Sequence, residues 1–346
     1  MSKTSLESVG EFGLIARFRA RAIVRTPEIR RAIGDDAAVL ALAAGDEAVV
    51  TTDLLIEAVH FHCDWVSARD LGWKSLAVNL SDLAAMGATP LAAFIGLGLP
   101  RDLATEWVDE FYVGLEECAA EFGATIAGGD TTASPQGVTI AVTLLGKVAT
   151  GKALLRSGAQ AGDALVVTGT LGDSAAGLRL LQRPEVEVAT DIREPLLRKH
   201  NVPVPRLREA AAAMRVATIH AAIDLSDGLA GDAGHLAEES HVGIEIEEDA
   251  IPISPECRAA CKALAPDGGS CGADPIDLAL RGGEDYELLL AVDSDDAARV
   301  MAAINEAGTA TTVVGKVVAS QQQTVVLRQP SGRVRPVAGG FQHFTG

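Results

Sequence analysis

The sequence predicts two mixed α/β domains, and three observations carry that expectation. The chain has 346 residues, more than one domain ordinarily holds. Strand-like runs rich in Val, Thr and Ile alternate with runs of helical period, in a mixed order that suits α+β layers better than a uniform parallel sheet. A change of domain falls near Thr150-Gly151, giving residues 1–150 and 151–346, and a hydrophobic content of 48% lets each half bury a core.

In the first half, Ala37–Leu42 and Ala48–Ile56 read as strands, the second rich in Val and Thr. Asp70–Met86 reads as a helix closed by Gly87. At about 100° per residue, Leu76, Leu80 and Leu83 share one face, while Ser75, Asn79 and Asp82 fall on an adjacent stripe. The core should take the leucines and leave Asp82 at its border. Leu91–Leu99 (strand), Leu103–Phe122 (helix), Ala124–Ala127 and Val138–Val148 (strands) complete this half. In the second half, Ala164–Thr168 and Ile219–Asp224 are expected as strands and Ser226–Ser240 as a helix. Tyr286–Val292 follows as a strand, Asp293–Ala307 as a helix, and Thr311–Val318 with Thr324–Leu327 as a final strand pair. NLSDLAA and DLSDGLA echo one another across the halves, a match too short to establish duplication.

Composition narrows the function. A net charge of −18 argues against a nucleic-acid surface, which is normally basic, yet leaves room for an anionic substrate held through a cation. No apolar run reaches the ~18 residues of a membrane span. The first twelve residues lack the apolar segment of a secretory signal, so a cytoplasmic protein is expected. Cys63, Cys118, Cys257, Cys261 and Cys271 form an odd, scattered set rather than a disulfide framework.

The chemistry lies in carboxylates set beside glycine around the ends of apolar runs. They are Asp35 and Asp36, Asp53, Asp130, Asp224 and Asp227, and Glu284 with Asp285. A single Asp-Gly pair is an ordinary turn signal. Five such places, each closing a strand-like segment, point to carboxylates aimed into a cleft. Gathered together they would repel one another, and Mg²⁺, a cation that takes oxygen ligands and substrate phosphates, would relieve that repulsion.

Neighbouring residues extend the pattern. Ser226 stands where a helix should begin, which suits an N-cap and a phosphate ligand equally. Thr51 and Thr52 are ordinary strand formers whose oxygens could also complete a metal shell. Arg156, just past the domain change, suits a phosphate clamp. His60, His62 and Cys63 lack the second ligand pair of a structural zinc site, and Cys257, Cys261 and Cys271 lack zinc-ribbon spacing. No Walker-type loop or protein-kinase Gly-rich loop is present, so ATP would need another architecture.

The segments GEFGLIARF, IGDDAAVL, TTDLLIEAVHF, KSLAVNLSDLAAMGATP, IAGGDTT, LLRSGAQAGD, IDLSDGLAGDAGH and GGEDYELL resemble the thiamine-monophosphate kinase family, in family order and over nearly the whole chain. The wider superfamily includes aminoimidazole ribonucleotide synthetase, selenophosphate synthetase and the hydrogenase maturation dehydratase. The resemblance implies ATP-dependent phosphorylation of thiamine monophosphate to thiamine diphosphate. It also implies a homodimer whose N-terminal domains build a shared barrel, with ATP and several Mg²⁺ ions in a cleft. By similarity, Asp36, Asp53, Asp82, Asp130, Asp224 and Asp227 are metal ligands, helped by Thr51 and Thr52. Gly129, Asp130, Arg156 and Ser226 would contact ATP, with Tyr112 near adenine. His60, Glu284 and Phe341 would meet thiamine phosphate, Phe341 standing where relatives often carry Trp or Tyr. Asp53, Asp130 and Arg156 are the residues expected to matter most for catalysis.

Two other readings compete. One is a related ATP-dependent synthetase. A selenophosphate synthetase would carry a reactive cysteine in a Gly-rich N-terminal loop, and no cysteine precedes Cys63. The maturation dehydratase would end in cysteine, where Phe344-Thr345-Gly346 stand here. The other is a non-catalytic acidic module binding nucleotides or cations, which would not need every expected metal position together with Arg156.

Overall fold

The computed structural model describes residues 17–21, 23–33, 37–265, 274–320, 322–337 and 339–340. The chain divides into two compact units, one of Met1–Leu83 with Ala88–Ala153, the other of Ala84–Gly87 with Leu154–Gly346. Both mix strands and helices, as the sequence order predicts.

The first unit opens with a short antiparallel pair, β1 (Ile29–Arg31) and β2 (Val39–Leu40). Its main sheet holds β3 (Asp46–Ile56), β4 (Thr89–Leu99), β5 (Thr125–Ala133) and β6 (Thr139–Ala149), in the order β3-β6-β4-β5. β4 and β5 run parallel and therefore need a crossover, which helix α2 (Thr105–Phe122) supplies. Helix α1 (Ala68–Ala85) lies between β3 and β4 in sequence. Leu76, Leu80 and Leu83 are fully buried, as their spacing predicts. The adjacent stripe is buried too: Ser75 and Asn79 have no exposed surface. Ser75 Oγ donates to Leu71 O at 2.7 Å and Asn79 Nδ2 to Ser75 O at 3.2 Å, both within the helix itself, while Asn79 Oδ1 is buried without a hydrogen-bond partner.

One expectation is corrected here. Asp53 and Asp130 do not stand at strand ends. β3 continues past Asp53 to Ile56, and β5 runs through Gly128 and Gly129 to Ala133. Pairing with β4, from Ala92↔Thr125 to Leu99↔Ala133, overrides the local turn signal of two glycines.

The second unit is built on a seven-stranded sheet of order β13-β12-β9-β11-β7-β10-β8. Its strands are β7 (Ala164–Thr168), β8 (Ile219–Leu225), β9 (Gly243–Glu247), β10 (Glu287–Val292), β11 (Thr311–Val318), β12 (Val325–Arg328) and β13 (Val334–Val337). All pairs are antiparallel except β12 with β9. One apolar cluster joins Leu165, Ile223, Ile244 and Leu289 with Leu229, Leu236 and Leu280 from helices.

Several helices here lack a strong sequence signal. They include α3 (Asp173–Gln182), α4 (Thr190–Asn201) and α5 (Leu207–Val216). α4 is polar and contains Pro195, and α5 is faced with alanine rather than leucine. After them come α6 (Leu229–Ser240), α7 (Pro255–Leu264), α8 (Pro275–Arg281) and α9 (Ala297–Glu306). α7 is capped as sequence rules prescribe, with Ser254 Oγ accepting from Cys257 N at 2.9 Å and proline in the first turn. Cys118, Cys257 and Cys261 are buried free thiols and Cys63 is a partly buried one. Cys271 lies outside the described residues.

Candidate functional site

In the first unit, β3 and α1 bring three predicted residues together. Thr51 and Asp53 are two apart on β3, so they share a face of the sheet. The Thr51 hydroxyl donates to Asp82 on α1. Burial, and then the Asp82 charge, push the Asp53 carboxyl up to about 6. Thr52 points to the other face, where its hydroxyl donates to Val142 O at 3.1 Å and meets Thr143 Oγ1 at 3.0 Å. In the turn after β3, Ile56 N donates to His60 Nδ1 at 3.0 Å. With Nδ1 an acceptor, a neutral His60 ring carries its proton on Nε2.

Gly129 and Asp130 lie on β5, at the opposite edge of the sheet from β3. The register aligns Asp53, Val142, Ile95 and Gly129, and then Leu54, Ala141, Gly96 and Asp130. Asp130 is exposed, and two strands separate it from Asp53. Tyr112 is buried in α2, its ring stacked on Phe18 with centroids 3.8 Å apart and set edge-on to Phe111. Burial pushes its phenol well above the usual range. For Tyr112 to meet adenine through that face, the Phe18 ring must give way. Asp36 and Phe341 lie outside the described residues.

The second unit holds the other acids. Asp224 is buried at the end of β8 and is followed by Ser226 and Asp227. Ser226 is not the helix cap its position promised, because α6 starts at Leu229 with Gly228 before it. Gly228 has φ 99°, a conformation open to glycine and costly for other residues, and it delays the helix by a turn. The segment ahead of Arg156 runs beside β8, with Ala222 N donating to Leu155 O at 2.9 Å. The loop before β10 crosses the same strand end: Glu284 N donates to Ser226 O at 2.7 Å and Tyr286 N to Leu225 O at 2.9 Å. Arg156, Asp224, Ser226, Asp227 and Glu284 thus gather around one end of β8.

The sequence reading missed a member of this group, Asp232. It lies in the first turn of α6, is 2% exposed, and accepts from Asp227 N at 3.0 Å. Burial, and then the charge of Asp224, push its carboxyl up to about 8; Arg156 works in the opposite direction. An acid in the first turn of a helix has a ready explanation in the helix dipole, so the sequence gave no separate signal. Beside Asp227 opens a cavity of about 450 Å³, lined also by His235 and Glu238 of α6, Gln322, and Gly340 next to Phe341 in the chain.

Asp285 corrects a second expectation. It is 9% exposed and does not face a cleft. Its two oxygens accept from Gly172 N at 2.9 and 3.1 Å, at the N-terminus of α3, where unpaired N–H groups attract a carboxylate.

Among the described residues, no three His, Cys, Asp or Glu side chains converge as a ready metal-binding group. The donor chemistry nonetheless fits Mg²⁺. Asp53 with Asp82, and Asp224 and Asp227 with Asp232, are oxygen donors kept near like charges, and a divalent cation would offset that repulsion.

The chain matches the family described as AIR synthase related protein, N-terminal domain, over residues 34–148, and the corresponding C-terminal domain over residues 160–328. It is 39% identical to the thiamine-monophosphate kinase of Salmonella typhimurium over 308 residues, covering 89% of this chain and 90% of that protein. The crystal structure of thiamine-monophosphate kinase from Stenotrophomonas maltophilia aligns with a TM-score of 0.79 and 37% identity, over 91% of this chain and 95% of that one. The structure of AaThiL complexed with AMPPCP and TMP aligns with a TM-score of 0.73 and 32% identity, over 98% and 99% of the two chains.

Proposed function

This chain belongs to the thiamine-monophosphate kinase family, and from that premise we propose how its residues divide the work. The enzyme transfers the γ-phosphoryl group of ATP to thiamine monophosphate, giving ADP and thiamine diphosphate. The acceptor is itself a phosphate, already anionic at neutral pH, so no general base is required. Phosphoryl transfer proceeds through a loose transition state in which positioning and charge neutralisation carry the rate. A site rich in carboxylates and poor in bases suits that demand.

The observation that supports the metal assignment is the gathering of acids in two groups, Asp53 beside Asp82 and Asp232 beside Asp224 and Asp227, where burial and like charge push the Asp53 and Asp232 carboxyls up. Asp36, Thr51, Thr52, Asp53, Asp82, Asp130, Asp224 and Asp227 would hold Mg²⁺, whose role is to neutralise the phosphate charge. Thr52, with its hydroxyl turned to the sheet, would serve through its backbone carbonyl. Arg156 clamps a phosphate, Ser226 and the Gly129-Asp130 backbone contact ATP, and Tyr112 lies towards adenine. His60 Nε2–H donates to thiamine phosphate, while the Glu284 carboxylate complements the cationic, amino-bearing thiamine rings, on which Phe341 stacks. In this reading residues 1–150 supply the first acid group and the dimer face, and residues 151–346 the second acid group and Glu284. Free thiols at four cysteines suit a reducing, cytoplasmic setting. The direct test is ADP release with and without thiamine monophosphate in Mg²⁺ buffer. Turnover that depends on both supports the reading, and turnover indifferent to thiamine monophosphate sinks it.

A homodimer through β3 belongs to the same proposal. β3 is an edge strand whose outer face shows Val50 at 60%, Leu54 at 58% and Ile56 at 38% exposure. An apolar edge of this kind is an association hazard unless a partner covers it. Leu54→Asp is therefore expected to convert a dimer to monomer in light scattering. A wild-type monomer, or a dimer undisturbed by Leu54→Asp, would refute this interface.

A further inference from the structure

The segment Gly283–Tyr286 is held in a conformation that needs outside support. Gly283, Glu284 and Tyr286 have φ of 70°, 59° and 51°. A left-handed non-glycine residue costs about 1–3 kcal/mol and persists only where its surroundings fix it. The backbone is fixed by the bonds to Ser226 O and Leu225 O, and the flanking acids by Gly172 N and by Arg206, Lys199 and Thr168 on Glu287. These contacts leave the orientation of the Glu284 side chain to be explained.

His200 supplies it. This residue is in the last turn of α4, is 4% exposed, and places Nδ1 3.1 Å from Glu284 Oε2 and 3.0 Å from Ser174 Oγ of α3. A carboxylate oxygen can only accept, so Nδ1 carries the proton facing it. The buried Ser174 hydroxyl then shares that N–H as a second acceptor and limits rotation of the ring. Glu284 is more open, with 27% of its side chain exposed. A buried donor thus grips one oxygen of a carboxylate whose remaining surface can meet a ligand.

We propose that His200, backed by Ser174, is a positioning residue that aims the Glu284 carboxylate at thiamine monophosphate. The inference rests on the reading of Glu284 as a substrate contact, and the experiment separates the two. Steady-state constants are measured for His200→Ala, His200→Asn, Glu284→Gln and the double variant His200→Ala/Glu284→Gln.

In His200→Ala, KM for thiamine monophosphate should rise about tenfold, the scale of one charge-assisted hydrogen bond. KM for ATP and kcat should change little. His200→Asn, whose amide N–H can stand in for Nδ1–H, should restore most of the loss. Glu284→Gln should raise the same KM, and the double variant should be no worse than Glu284→Gln alone. A normal KM in Glu284→Gln would overturn the underlying reading, and the proposal with it. An impaired Glu284→Gln beside a normal His200→Ala, or losses that simply add, would overturn the positioning role and leave the reading standing. If His200→Ala fails to fold, the same split is read on Ser174→Ala, which removes only a hydroxyl. A rise in KM for thiamine monophosphate alone supports the proposal, and equal effects on both substrates refute it.

Discussion

Replacing Asp53 by asparagine is expected to lower turnover at least ~100-fold, as removal of a central electrostatic element of an active site does. The fold should survive, because asparagine fills the same space. Stability should change in the direction opposite to activity. Burial, and then the Asp82 charge, push the folded Asp53 carboxyl up to about 6 from an ordinary value of 3.8. Between those values the folded chain binds more protons than the unfolded one, so its stability falls as pH rises through the window. Asparagine carries no such penalty. In metal-free buffer Asp53→Asn should melt higher than wild type above about pH 6, with the gap closing towards pH 4. Kinetics at saturating and limiting Mg²⁺, with melting curves across that range, check both halves. Near-normal turnover would remove Asp53 from the catalytic centre, and a variant destabilised at every pH would give it a structural role instead.

Glu287→Ala should produce the largest loss of stability. Glu287 is fully buried at the start of β10 and takes two bonds from Arg206, at 2.6 Å from Nε and 2.5 Å from Nη2. Thr168 Oγ1 donates at 2.7 Å and Lys199 Nζ approaches at 3.3 Å. Removing the carboxylate leaves the buried Arg206 guanidinium with only Glu209, 3.7 Å from Nη1, as a counter-charge, which costs about 3 kcal/mol. For a unit of this size that corresponds to a fall in Tm of roughly 10 °C. Calorimetry of Glu287→Ala beside Glu287→Gln, which keeps shape and some hydrogen bonding, measures it. A shift of only a degree or two would mean that Arg206 finds water or another acid.

These residues show what a sequence can and cannot reveal. Asp53, Asp224 and Asp227 were legible as carboxylates around the ends of apolar runs, and Asp82 as the acid on the polar stripe beside the buried leucines, its role implied by the family resemblance. GGEDYEL was legible as a unit but not in its parts. Its three acids do three things: Glu284 is partly open, Asp285 holds the start of α3, and Glu287 neutralises Arg206. Which acid is buried depends on β10 pairing with β8 and on α3 and α4 packing nearby, contacts between residues more than 60 positions apart. His200 closes the polar run Arg198-Lys199-His200, which at a helix C-terminus needs no explanation beyond the dipole. The register of β5 was hidden for a related reason, since two glycines signal a turn unless a neighbouring strand claims them. Local chemistry marked the candidate ligands, and long-range packing assigned their duties.

Transfer of label from γ-labelled ATP tests the central claim most directly. The acid-rich site suits an acceptor that is already a phosphate, whereas the hydroxyl of free thiamine would need a base, and in this reading the acids of the site are engaged with Mg²⁺. With thiamine monophosphate as acceptor, label should appear in thiamine diphosphate, with none on the protein after denaturation and far slower incorporation when free thiamine is supplied. Label retained on the denatured chain, or equal rates with thiamine and thiamine monophosphate, would contradict direct transfer between two phosphates.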